Sequence, residues 1–600
     1  MAFERTVEQR SVEALREDGH REPEPTTVIG ERELALSLEQ VLWLAVLGLA
    51  ALVRLGALGR WPLSAGEAQV ALAALGRALP EPVPVPEGVG PLAFNLTALS
   101  LWLFGPDDAV VRLPAALAGI ALVGLLWAGR SVLGRDVALG AAFFVALSPA
   151  LAFFSRQASE VSFAALCALW FVLALARYVR RPSRTGAWHV ALALALGLTS
   201  GPGFWAVLAA GGLYAAYLWR RFVRHGDETW EQVLEAWQRA QPDRYRLLAA
   251  TLGVVAVVST AGFTNPSGLM GALALPARWG QAVLGAGAPL VVPFSVTTFL
   301  YEWPLLLWAT VGAALWSVQR PHLARFLLVW AFATFVPASL TNSGWAGGVA
   351  HTVLPLALLA GAGLAALARS LAREARLEVE GLYTAAGLVV AFFAWLNLVG
   401  YSLKGTSVLA WLSFGAVLLL GGILVLVGTL HGLESALRVA GSVLLAASAF
   451  WALHTGWQLA YNHASDPREP LVVGATDVDV RYLPRFLRQV SEVRAGHPDR
   501  LPIAVQRTLG PVPRWYLRDF LDVRTTEGSH PDQPTVALLE AAEPAPPGRI
   551  GQRVRLGLAW QWPGLTGPSL VRWLIYREAP GLTGVESILY IAVTPSNTAR

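Results

Sequence analysis

A chain of 600 residues in which 55% are hydrophobic and only 14% are charged is too apolar to be a soluble globular protein. Its formal charge of +5 sits on arginines placed mostly at the ends of apolar runs, with Lys404 the only lysine, so the positive balance orients membrane spans and does not point to nucleic acid. The single cysteine, Cys167, lies inside an apolar run and excludes an intramolecular disulfide and a cysteine-based metal site.

Residues 1–36 carry nine acidic residues and five arginines and lack the apolar core of a cleaved signal peptide, so they are expected to form a disordered cytoplasmic tail. Apolar stretches of about 20 residues follow, the length that crosses a hydrocarbon core of about 30 Å. The first is expected at 38–53 and ends at Arg54. Then comes a long polar loop, 55–108, containing Pro62, Ser64, Gly66 and a proline-rich stretch from Pro80 to Pro91. Within it, Val70, Ala71, Ala74, Leu75 and Leu79 are spaced for a short helix over 67–79 lying along the membrane interface. A second short apolar piece covers 91–104.

If that piece does not cross, further spans are expected at 109–129, 136–154, 161–178, 187–200, 203–219, 246–264, 298–318, 323–341, 350–368, 382–400, 406–429 and 437–460, about thirteen in all. The arginine-bearing loops at 130–135, 180–184, 220–224, 320–325, 369–376 and 438 then fall on one side, as the positive-inside bias requires. This sets the N-terminus in the cytoplasm of a multi-pass plasma-membrane protein and the C-terminus outside. The outer loops are 55–108, 154–160, 265–297 and 341–349. The inner loop 220–246 is amphipathic and is expected on the inner headgroups.

After Tyr461 the pattern changes. Short apolar runs at 471–473, 501–505 and 535–539 alternate with a helical pattern over 482–493, which reads as a small α/β domain. The expected fold class is an all-α polytopic membrane protein with a C-terminal α/β extracytoplasmic domain: a tail at 1–36, a transmembrane domain at 37–462 and the polar domain at 463–600.

Ionisable groups near the membrane are the default functional candidates. Glu67 follows the first span, and its bland reading is a helix-start charge that complements the dipole. In Phe154-Ser155-Arg156-Gln157-Ala158-Ser159-Glu160 a local Arg156–Glu160 ion pair is the simpler account. In Tyr301-Glu302-Trp303 an interfacial aromatic belt explains the rings but not the glutamate. Arg112 could pair with a lipid phosphate, whose oxygens it matches in a fork, or with one of those carboxylates, and snorkelling to headgroups is the simpler account. His351 at the head of a span is more often a satisfied polar residue than a ligand.

Their order resembles a known superfamily. Pro62-Leu63-Ser64-Ala65-Gly66-Glu67, Gly90-Pro91-Leu92, Arg112-Leu113-Pro114-Ala115-Ala116-Leu117-Ala118-Gly119, Leu147-Ser148-Pro149 and Ser155-Arg156 with Glu160 look like the N-terminal half of the GT-C membrane glycosyltransferases. Those are relatives of the dolichyl-phosphate-mannose protein mannosyltransferases and the lipid A aminoarabinose transferase. The likeness to the flippase activity-associated family of prokaryotic N-glycosylation extends through Thr264-Asn265-Pro266, Tyr301-Glu302, His351 with Leu354-Pro355-Leu356, Arg468-Glu469-Pro470 and Trp515-Tyr516-Leu517-Arg518-Asp519.

The resemblance implies transfer of a sugar from a polyprenyl-phosphate carrier to a glycan, lipid or protein acceptor at the outer face. Glu67 and Glu160 would be the catalytic carboxylates. Arg156, Arg112, Glu302, Tyr301 and His351 would bind substrate, and no nucleotide cofactor would be used. No metal ligand is assigned, and a divalent metal is left open. Two departures stand out: Gly66 occupies the position of the family's aspartate, and Ser343-Gly344-Trp345-Ala346-Gly347 replaces a Glu-Lys-Met-Pro-Trp segment. They keep open a degenerate enzyme and a non-catalytic partner or transporter component for lipid-linked glycans.

Overall fold

The computed structural model describes residues 37–76, 83–86, 88–226, 228–285, 289–374, 376–528 and 534–592. The expected tail at 1–36 and part of the proline-rich stretch lie outside them. The helices run, in chain order, α1 Leu38–Leu55, α2 Ala65–Leu75, α3 Pro91–Phe104, α4 Asp108–Leu133, α5 Arg135–Leu147, α6 Pro149–Ser155, α7 Val161–Arg180, α8 Arg184–Ser200, α9 Phe204–His225, α10 Glu228–Ala240 and α11 Arg244–Ser259. They continue with α12 Gly268–Val283, α13 Phe294–Gln319, α14 Pro321–Leu340, α15 Gly348–Glu374, α16 Leu377–Lys404, α17 Ser407–His431 and α18 Leu433–Trp457.

Among the described residues eight helices are long and apolar enough to cross a membrane, or nine when α5 and α6, bent by 64° at Ser148, count as one span. The remaining expected spans fall on α8, α9, α11 and α13, which are helices but too short or too polar for that criterion. The piece at 91–104 is the helix α3. Its 14 residues extend about 21 Å, too short to span.

Small residues let the central helices approach backbone to backbone, as membrane helices require where lipid offers no hydrophobic drive. A Cβ on Gly312 of α13 would overlap the Leu359 carbonyl of α15, and one on Gly361 would lie 2.6 Å from the Val137 carbonyl of α5.

The C-terminal part adds α19 Tyr482–Ala495, α20 Pro511–Tyr516, α21 Gly567–Tyr576 and strands β1 Ile503–Gln506, β2 Val523–Thr526, β3 Val536–Glu540, β4 Arg549–Trp560 and β5 Leu582–Ala592. They form one five-stranded sheet in the order β2-β1-β3-β5-β4, with β1 parallel to β2 and β3, and β5 antiparallel to β3 and β4. The runs at 501–505 and 535–539 become β1 and β3. The run at 471–473 is a turn and coil.

The helix expected to lie open at the interface is instead covered. Leu63, Ala68, Ala71 and Leu72 of the 55–108 loop share one core with Leu487, Ile503, Val505, Trp515 and Leu538 of the C-terminal domain. Its apolar face is satisfied by protein, not lipid. Polar contacts fasten the same junction. Asp108 accepts from Trp515 Nε1 at 2.8 Å, the Tyr516 hydroxyl at 2.8 Å and Arg481 at 2.6 Å. The Leu63 amide donates to the Tyr516 hydroxyl at 3.0 Å.

Candidate active site

The site grows from the start of α2. Ser64 caps that helix, its hydroxyl accepting from the Glu67 amide at 3.3 Å while Glu67 Oε2 accepts from the Ser64 amide at 2.9 Å. This is the reciprocal box that Ser-x-x-Glu encodes. The same carboxylate takes a forked pair from Arg112, Nε to Oε1 and Nη2 to Oε2, both 2.7 Å, and the Ala158 amide donates to Oε1 at 2.9 Å. Each oxygen therefore accepts two donors. Burial alone would raise the Glu67 carboxyl, but the Arg112 charge and these hydrogen bonds outweigh it and hold the group below its ordinary range. The rest of the Arg112 guanidinium donates to the carbonyls of Leu58, Trp61 and Pro62 at 3.1, 2.8 and 2.9 Å. Arg112 thus organises the loop and does not snorkel.

The Ala158 bond brings the 156–160 turn to the same corner. Arg156 does not pair with Glu160. Its Nη1 donates to the carbonyls of Val53 and Gly56 at 2.9 and 2.7 Å, and its guanidinium lies 4.3 Å from the centre of the Tyr461 ring. Those carbonyls belong to the end of α1, where helix geometry leaves them without intrahelical donors. Glu160 is half-buried and has no ion-pair partner among the described residues. Burial pushes its carboxyl above the ordinary range, offset in part by its own backbone N–H. Leu58, Trp61, Arg112, Phe153, Arg156 and Gln157 line a narrow hollow at this corner.

Sequence reading missed a third guanidinium. Arg54, ending an apolar run, looks topogenic, yet it is fully buried and donates to the carbonyls of Val145 and Ala146 at 3.0 and 3.2 Å. Among the described residues it has no acidic partner, and its Nε is without a hydrogen-bond acceptor. A long-range fold is needed to see this, because the bonded carbonyls are more than 90 residues away. Tyr461, Gln157 and Trp61 were missed for the same reason.

The other candidates lie elsewhere. Glu302, buried in α13, accepts from the Ser148 hydroxyl at 2.6 Å and the Ala150 amide at 3.0 Å, bracing the bend between α5 and α6. The seven residues of α6 separate that point from Arg156 by about 10 Å. The Tyr301 hydroxyl donates to Glu469, which also accepts from Arg577 Nε at 2.9 Å, so it joins α13 to the C-terminal domain. His351 is buried and stacked on Trp345 with ring centres 5.5 Å apart. A Cβ on Gly203 would overlap its ring, and one on Gly201 would meet Glu160, so His351 and Glu160 flank one elbow, residues 200–203. No cluster of three His, Cys, Asp or Glu side chains placed to hold a metal exists among the described residues.

A family model described as dolichyl-phosphate-mannose-protein mannosyltransferase matches residues 86–226. No curated protein sequence matches. Among solved structures, ArnT from Cupriavidus metallidurans bound to undecaprenyl phosphate is similar over 93% of this chain and 99% of that chain, at 16% identity and a TM-score of 0.52. The apo state of that protein is similar over 80% and 85%, at 19% identity and a TM-score of 0.48. The Archaeoglobus fulgidus oligosaccharyltransferase with Zn and sulfate is similar over 81% and 62%, at 13% identity and a TM-score of 0.40. An alignment that takes in nearly all of both chains, on an architecture of membrane helices followed by a small sheet domain, shows that this multi-pass membrane protein shares the fold of the undecaprenyl-phosphate-bound ArnT structure.

Proposed function

We propose that the protein is a glycosyltransferase that moves a sugar from a polyprenyl-phosphate-linked donor to an acceptor at the extracytoplasmic face, with the arginine-rich loop ends in the cytoplasm. The observation that carries this reading is a charge imbalance. Arg54, Arg112 and Arg156 are buried near the outer end of α1, and among the described residues the one carboxylate ion-paired to any of the three is Glu67, on Arg112. Surplus guanidinium at a membrane boundary suits a lipid phosphate, which Arg recognises in a fork. The undecaprenyl phosphate in the ArnT structure supports that ligand class.

In this mechanism Arg112 and Arg156 offset charge on the departing lipid phosphate. The acceptor oxygen bonds to the sugar's anomeric carbon, the carbon–phosphate-oxygen bond breaks with its electron pair leaving on the phosphate, and the acceptor proton passes to Glu160. Glu67 has no free lone pair for that work and is assigned to holding Arg112. His351 braces the elbow on which Glu160 rests.

The test is transfer of labelled sugar from a polyprenyl-phosphate donor in proteoliposomes. Arg156→Gln is expected to raise the donor KM roughly 10- to 100-fold, the worth of one charge-assisted hydrogen bond of about 1.5–3 kcal/mol. Parent protein that binds the lipid-linked sugar without ever turning it over would replace the enzyme by a non-catalytic glycan-lipid partner.

Gly66 offers a second measurement. It is exposed, nothing lies within 4 Å of where its Cβ would stand, and its φ is not positive. Gly66→Asp is therefore expected to fold with an unchanged thermal midpoint and to raise turnover, if the missing carboxylate limits the rate. Unchanged turnover means that the chemistry does not depend on that position.

A further inference from the structure

We infer that the arginine-rich end of the helix bundle holds a binding site for one anionic diacyl phospholipid, remote from the proposed active site and independent of it. Two adjoining hollows form it. One, of about 340 Å³, is an apolar trough between α8 and α11 walled by Trp188, Ala191, Leu192, Ala195, Ala250 and Val254. The other, of about 200 Å³, is a cup of mixed polarity between the end of α4, the end of α7 and the start of α8, with Ser131, Arg177, Ser183 and His189 in its wall beside Leu125, Val132 and Trp170. Thr185 and His189 line both, so the trough opens into the cup.

Its position follows from one helix. Asp108, at the Glu67 corner, and Ser131, in the cup, are the two ends of α4, separated by about 34 Å at 1.5 Å per residue. The two sites therefore face opposite headgroup layers.

Charge and shape select the occupant. No carboxylate lines either hollow. Arg177 makes no ion pair among the described residues and stands exposed at the cup. Arg180 and Arg320 reinforce the rim, both donating to the Val132 carbonyl, at 3.2 and 2.6 Å. Arg184 is neutralised by Asp243 at 3.2 Å and does not contribute. A free phosphate would fit the cup but leave the trough unused. A zwitterionic lipid would bring its own cation beside Arg177. An anionic headgroup in the cup with an acyl chain in the trough satisfies both compartments.

The test uses the delipidated full chain and native mass spectrometry, titrated with phosphatidylglycerol, phosphatidylcholine or inorganic phosphate. One phosphatidylglycerol is expected to bind more tightly than phosphatidylcholine. Arg177→Gln should remove roughly fivefold of that preference, the worth of one arginine at a charged headgroup. Leu192→Trp, which fills the trough without touching the cup, should weaken both lipids together and keep their ratio. Equal binding of the two lipids by the parent, an unchanged ratio in Arg177→Gln, or displacement of bound lipid by inorganic phosphate would each overturn the proposal.

Discussion

Replacing Glu160 by Gln is expected to lower turnover by roughly 10²- to 10⁴-fold, the usual contribution of a positioned general base, with the thermal midpoint unchanged or raised. The separation of the two readouts follows from the environment of Glu160. Its carboxyl has no cationic partner among the described residues and is raised by burial, so ionising it costs the folded state and the amide removes that cost. The sign of the pH dependence is fixed in the same way. A raised folded-state pKa means that the folded form binds the proton more tightly than the unfolded chain, so the stabilising contribution of the neutral acid is lost as pH rises through the folded value. The base works when ionised, so turnover should rise over that interval, above the ordinary carboxylate range, and fall as pH drops below it. A Glu160→Gln protein with parental turnover, or with the acidic limb of the pH profile intact, removes Glu160 from the chemistry.

Glu67→Gln should behave in the opposite way, losing about 3–5 kcal/mol of stability, because it leaves Arg112 buried without its counter-charge. Activity per folded molecule should fall far less than in Glu160→Gln. The lowered carboxyl of Glu67 gives stability that is present above its unfolded pKa and lost as pH falls through the folded one, so the deficit of the variant should shrink under acid. Thermal unfolding monitored at neutral and acidic pH reads this directly. A variant with parental stability and abolished turnover would return Glu67 to the role of base.

The contrast between the two glutamates shows where sequence reading stops. Spans are legible because their cause is local: an apolar run of sufficient length has one physical fate in a bilayer, and each expected span falls on a helix save 136–154, which is broken into α5 and α6. The cap on α2 is local too, since Ser64 and Glu67 are three residues apart. What Glu67 does is not local. Its ion-pair partner lies 45 residues away and its fourth donor, the Ala158 amide, 91 residues away, so a carboxylate that reads as reactive is in fact saturated. Arg156 and Arg54 are misread for the matching reason. Arg156 reads as the partner of Glu160 four residues on, and Arg54, ending an apolar run, as topogenic, whereas both turn inward to carbonyls that only the folded bundle brings near. The sheet domain was legible as α/β from its alternating runs, but its grip on the 55–108 loop was not. Nothing in Trp515-Tyr516 announces Asp108, more than 400 residues earlier.

The core shared by that loop and the sheet domain has a temporal consequence. Leu63 and Tyr516 are 453 residues apart, so at about 5–20 residues per second the ribosome needs roughly 20–90 s to deliver the second after the first. For that interval α2 and its flanking segments exist without the surface that will cover them. Biogenesis of this protein therefore includes a delayed closing step, in which a part synthesised later completes one synthesised earlier.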